Sequence, residues 1–146
     1  MKKILFITTR NPFSGRYSGD VIRSLKIVNF LKKKYSLDIV CLDKKGELKN
    51  KDKSILAFRD SNFFFKIFYC IVSLLKFEPI QFGLFYSGEM KEYLREYAYQ
   101  YDCLFFYHIR SSQYLPTNFR GKTIIEIGDL YSENYLQTFN NLNIFN

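Results

Sequence analysis

Ile4-Leu5-Phe6-Ile7-Thr8 and Leu37-Asp38-Ile39-Val40-Cys41-Leu42, with residues 9–36 between them, decide the fold. Both are short, nearly continuous apolar runs, the pattern required of strands buried on both faces of a parallel sheet. Between them, Thr9-Arg10-Asn11-Pro12-Phe13-Ser14-Gly15 and Ser18-Gly19-Asp20 form a loop rich in turn residues. Val21, Leu25, Val28 and Leu31 then recur at three-to-four spacing, which predicts a helix over 21–34 with Asp20 as its cap. Strand, glycine-containing loop, helix and strand make one βαβ unit, expected to be right-handed.

The alternation continues outward from this unit. Residues 103–107 and 123–127 read as two further strands, and 55–58 as a short one. Residues 43–54 are charged and contain Gly46, so they read as an exposed loop or crossover. Ser87 is placed to cap a helix over about 88–100, with Glu89 at its positive end and Met90, Leu94, Tyr97 and Ala98 as its buried stripe. A last helix is expected from Ser132 through Tyr135, Leu136 and Phe139. Alternating strands and helices imply an α/β domain: a Rossmann-like parallel sheet with helices on both faces. The 146 residues, without internal repeats or a low-complexity linker, are room for one such domain. A hydrophobic content of 47% supplies its core, which should remove roughly 70% of the unfolded surface from water.

Composition excludes several classes. No stretch approaches the ~20 uncharged apolar residues of a membrane span. The start, Met1-Lys2-Lys3, runs straight into the first strand and lacks the pattern of a secretory signal. Cys41, Cys70 and Cys103 are odd in number and widely spaced. That argues against a disulfide framework or a zinc site and for three small buried hydrophobes in a reducing cytoplasm. The net charge is +8, but residues 1–59 carry +10 and residues 60–146 carry −2. The excess peaks at Lys32-Lys33-Lys34 and in Lys44, Lys45, Lys49, Lys51 and Lys53. Such a face either attracts phosphate or is simply a solvated lysine surface. Nucleic acid is not the expected partner: no DNA- or RNA-binding signature is present, and the aromatics sit in apolar runs rather than among basic residues.

Residues 62–77 need separate weighing. Phe64, Ile67, Phe68, Ile71, Val72 and Leu75 fall on one helical stripe, with Lys66, Ser73 and Lys76 off it. Two readings stand: a helix packed on the sheet, or a helix lying in a membrane interface, where aromatics flanked by lysines suit the position. Glu78-Pro79 ends the segment, because the residue before proline avoids helical angles.

Ligands of open parallel sheets bind beyond the carboxyl ends of the strands. Three segments therefore matter: 9–20, 108–114 and 128–134. In the first, glycine permits a close approach to a helix N-terminus, where free N–H groups favour anions, although Gly15 and Gly19 also suit plain turns. The loop is neither a dinucleotide fingerprint nor a Walker loop. In the second, His108, the only histidine, is either a general base or partner of a substrate hydroxyl, or a structural hydrogen-bonder. Arg110 beside it suits a phosphate or a carboxylate. In the third, Asp129 either orients a sugar hydroxyl, pairs with Arg110, or serves as a cap or loop ion pair. No nucleophile elbow and no metal-ligand cluster stand in the sequence.

Several stretches, in order, resemble family 4 glycosyltransferases of the GT-B fold, in the branch that builds exopolysaccharides and other surface glycans. They are Lys2 to Phe13, Ser18-Gly19-Asp20-Val21-Ile22-Arg23, Leu37 to Leu42, Leu74 to Pro79, Phe85 to Met90, Tyr101 to Pro116 and Ile125 to Ser132. The resemblance implies the N-terminal, acceptor-side half of a two-domain enzyme. Its C-terminal half would bind a nucleotide-sugar, with metal-independent and cofactor-free sugar transfer to a glycan or lipid-linked acceptor and retention at the anomeric carbon. By position, His108 and Asp129 take the catalytic roles. Arg10, Ser18, Gly19, Asp20, Arg23 and Arg110 take substrate-binding ones, with Gly19 lining the cleft near the donor phosphates. Asp20 stands where the family carries a second glycine. The family continues for roughly 100–200 residues beyond the length of this chain, so the chain alone is expected not to transfer sugar. The donor half would come from a missing domain or a second chain. Lipid-linked acceptors and the basic first half add an anionic membrane surface as partner, with a cytoplasmic location peripheral on the inner face of the membrane. The alternative is a non-catalytic, flavodoxin-like domain that binds a phosphorylated ligand.

Overall fold

In a computed structural model of the chain, which describes residues 1–15, 18–43 and 54–128, the first strand is the centre of the sheet. β1 (Lys3–Thr8) is flanked by β2 (Ser36–Asp43) and β4 (Cys103–Tyr107), with β3 (Ile55–Arg59) and β5 (Lys122–Glu126) outside them. All pairings are parallel, and Phe6 lies opposite Ile39 on one side and Phe105 on the other. The expected α/β sheet is present. Its order, β3-β2-β1-β4-β5, is that of dinucleotide-type doubly wound sheets and not the 2-1-3-4-5 order of flavodoxin-like ones. The sheet therefore does not have the flavodoxin-like strand order.

Side chains of β1 alternate between two cores, as a pleated strand demands. Ile4 and Phe6 pack with Val28 and Leu31 of α1 (Gly19–Lys32). Leu5 and Ile7 pack on the other face with Met90 and Leu94 of α4 (Gly88–Tyr97). Helices thus cover both faces. Ser87 caps α4 as expected, its Oγ accepting from Met90 N at 3.5 Å. Ala98 is buried beside Met90 and Leu94, but Tyr97 is 41% exposed.

Three expectations are corrected. The cap of α1 is Ser18, whose Oγ accepts from Val21 N at 3.4 Å, while Asp20 sits in the first turn and turns its carboxylate elsewhere. Cys41 and Cys103 are buried, but Cys70 is only half-buried; all three are free thiols, and burial pushes Cys41 up to about 12. Finally, α2 (Phe63–Leu75) does not pack on the sheet. It packs chiefly on α3 (Ile80–Leu84), and Ser73 is its one buried residue. The predicted last helix and the lysines at 44, 45, 49, 51 and 53 lie outside the described residues.

The α2–α3 hairpin depends on a glycine. A Cβ at Gly83 would overlap the backbone of Tyr69 and Cys70. Gly83→Ala is therefore expected to lower stability in urea unfolding by about 1–3 kcal/mol, the cost of overpacking. Gly88, at the start of α4, has nothing within 4 Å of its Cβ position, and Gly88→Ala should raise stability by about 0.4–1 kcal/mol. Shifts of the same sign in both variants would contradict this packing.

Candidate functional site

The sheet order places a topological switch between β1 and β4: the crossover from β1 runs to one side and the chain after β4 to the other. Loops diverge from such a point and leave a crevice beyond the strand ends. After β1, Thr9 and Asn11 are buried and Arg10 is exposed. Asn11 Oδ1 accepts from Phe13 N at 2.7 Å, and Gly15 has φ 69°, so the loop turns sharply before α1 begins. After β4, His108 has φ 68°, a left-handed conformation that is strained for any residue with a Cβ. Ser111 holds that bend, donating to Tyr107 O at 2.9 Å and to His108 O at 2.7 Å.

The two loops meet on the carboxylate of Asp20. Its Oδ1 lies against His108 Nε2 and accepts from the Tyr107 hydroxyl at 3.2 Å; that hydroxyl also donates to the Asp20 carbonyl at 3.0 Å. Its Oδ2 accepts from Arg10 at 3.0 Å and from Arg110 at 3.3 Å. Arg110 is buried, donates through Nε to Thr9 Oγ1 at 2.7 Å, and lays its guanidinium 4.7 Å from the centre of the Phe85 ring. Partial burial alone would raise the pKa of Asp20; the hydrogen bond and charge of His108, with Arg110 and Arg10, outweigh it and hold the carboxyl below its ordinary value. Burial, then the neighbouring Asp20 carboxylate, push the Tyr107 phenol well above its ordinary value, so it serves as a donor.

The third strand end reaches the same place. Arg23 of α1 contacts Glu126 Oε1 at 2.5 Å, and Glu126 closes β5. A Cβ at Gly128 would meet Arg23 at 3.1 Å and the His108 ring at 3.2 Å. Arg10 and Asp20, residues 108–110 and residues 126–128 therefore converge, and Asp129 lies outside the described residues. Of the sequence candidates, Arg10, Asp20, His108 and Arg110 form one cluster, and Arg23 flanks it. Ser18 is spent on the cap, and Gly19 opens α1 with free space at its Cβ position. Sequence reasoning missed Tyr107 and Glu126 as site groups. Both are the final residues of their strands, and that position was the available signal.

Three guanidiniums and an imidazole thus face two carboxylates, a balance that favours an anionic ligand. No group of three His, Cys, Asp or Glu side chains suited to a metal gathers among the described residues. A separate cleft of about 340 Å³, lined by Arg95, Tyr99, Tyr101, Phe119 and Arg120, lies at the opposite, amino ends of β4 and β5. No known protein family, no curated protein and no solved structure matches the chain.

The depressed Asp20 group fixes the sign of a pH effect. Its stabilisation is fully present above the unfolded carboxyl value of about 3.9 and is lost as pH falls through the lower folded value. Wild type should therefore exceed Asp20→Asn in urea stability near neutrality, and the gap should close as pH approaches 2. A gap independent of pH would overturn the ionic latch.

Proposed function

We propose that this chain supplies the acceptor-side lobe of a retaining sugar transferase of GT-B type. The crevice between the ends of β1 and β4 would receive a glycan or lipid-linked acceptor. The observation that supports this most is the His108–Asp20 pair bracketed by Arg10 and Arg110 at the switch point. A carboxylate fixed on one imidazole nitrogen orients the ring, so that its other nitrogen can hold an acceptor hydroxyl or take its proton. The guanidiniums suit the charge of a phosphate on acceptor or donor, with the planar fork geometry that phosphate recognition uses. In this reading Asp20, standing where the resembling family has a second glycine, replaces close backbone approach with a side-chain latch between α1 and His108.

Sugar transfer needs donor and acceptor held together, and such positioning is worth several kcal/mol of barrier. The described residues form a single lobe, so the nucleotide-sugar would be held by a further domain or a second chain. We expect the 146-residue chain to show no turnover of nucleotide-sugar but to bind a sugar phosphate. Arg10→Ala, at an exposed position where Asp20 keeps His108, Tyr107 and Arg110 as partners, should weaken that binding about tenfold, matching the ~1.5 kcal/mol lower end for a hydrogen bond to a charged group. Robust turnover by the chain alone would refute the single-lobe reading. Equal affinity in Arg10→Ala would refute the placement of the anion.

A further inference from the structure

The polarity of α2 is inverted. Phe64, Phe68, Ile71 and Leu75, one line along the helix, are exposed by 83%, 57%, 51% and 75%. Its polar groups turn inward instead. Lys66 Nζ reaches Asp60 Oδ2 at 2.6 Å, the Tyr69 ring lies tilted with its centre 4.2 Å from that of Tyr86, and Ser73 is buried. The hydrophobic effect in water selects the reverse arrangement. The helix end adds a second oddity. Phe77 adopts φ 57°, the left-handed conformation that glycine favours after a helix, and its side chain is 98% exposed. Glu78 N donating to Ser73 O at 2.9 Å closes this turn. A bulky residue bears the strain there while its side chain stays almost wholly in solvent.

From this geometry we infer that α2, with Phe77, lies in the surface of an anionic lipid bilayer, its apolar line inserted and its Lys66–Ser73 side toward the protein. The thirteen residues of α2 span ~20 Å at 1.5 Å per residue, short of a ~30 Å hydrocarbon core. No helix among the described residues is long and apolar enough to cross a membrane. An apolar helix of this length that is not buried in a core fits an interfacial position, lying along the bilayer. Charge selects the lipid. Residues 61–77 contain no acidic group, Lys76 borders Phe77 on the exposed side, and the chain carries +8. The chain's net +8, carried mainly by residues 1–59, disfavours pairing with a second copy, whereas anionic headgroups offer the complement to it and to Lys76. This inference stands on α2 alone and does not rest on the sugar-transferase reading.

Cosedimentation with vesicles tests it. The chain should bind phosphatidylcholine vesicles containing phosphatidylglycerol, bind pure phosphatidylcholine more weakly, and release with added salt. Phe64→Ser, at a solvent-exposed position, should lower partitioning about tenfold. Phe77→Gly should do the same while raising the thermal unfolding midpoint, because glycine relieves the left-handed strain. Folding loss cannot produce that pair of opposite changes. Absence of vesicle binding by the folded chain would overturn the proposal. So would unchanged partitioning of both variants, or a concentration-dependent dimer abolished by Phe64→Ser in place of lipid binding. Sugar-phosphate affinity should be unchanged in both variants, which separates this result from the fate of the sugar-transferase reading.

Discussion

One carboxylate organises the carboxyl end of the sheet. Asp20 receives donors from both sides of the switch point: Arg10 after β1, and Tyr107, His108 and Arg110 at the end of β4 and beyond it. Two loops that leave the sheet in different directions are thereby tied to the first turn of α1. The arrangement also explains why Asp20 does not cap α1. Ser18, two residues earlier, satisfies the helix N–H, which releases the acid for an interaction with charged donors, stronger than a neutral one. Arg110 is the buried member of the cluster, and a buried charge is sound only while it keeps its partners. Arg110 keeps Thr9 as well as Asp20, and the strained His108 backbone is braced by Ser111.

The α2–α3 hairpin meets this cluster through a short stretch of chain. Phe85, directly after α3, lies under the Arg110 guanidinium, and its carbonyl accepts from the Tyr114 hydroxyl. Tyr86, the next residue, carries the ring against Tyr69 of α2. Apolar helix and charged crevice therefore share two adjacent anchor residues. The hairpin is held at its base by the Lys66–Asp60 ion pair and by Ser61 donating to the Tyr86 carbonyl at 2.6 Å.

Strands were legible because four of the five are continuous apolar runs bounded by charge or turn residues, and burial on both faces leaves that mark plainly. Helix existence was equally plain in α1 and α4. What periodicity cannot carry is direction. The stripe Phe64, Phe68, Ile71, Leu75 reads the same whether it faces a core or solvent, and only the packing against α3 distinguishes them. Capping was ambiguous for a related reason: Ser18 and Asp20 are both good capping types, and the choice depended on partners far along the chain. Locations for the site followed from the rule about strand ends, which brought His108 and Arg110 into view, while Arg10 entered through the resemblance. Tyr107 and Glu126 stayed hidden because a strand's last side chain looks like its others until the neighbouring loops are placed.

Of the five strands, the central one is made first. β1 pairs with β2 within the opening βαβ unit, but its other edge stays open until residues 103–107 have been synthesised. Lys3 N donates to Asp102 Oδ2 at 2.7 Å across 99 positions of chain. Closing so large a loop comes late and slows folding. Until then the nascent polypeptide presents a row of unpaired backbone groups along Ile4-Leu5-Phe6-Ile7, an invitation to strand addition by a neighbouring chain. Any fragment ending before β4 would carry that exposed edge permanently.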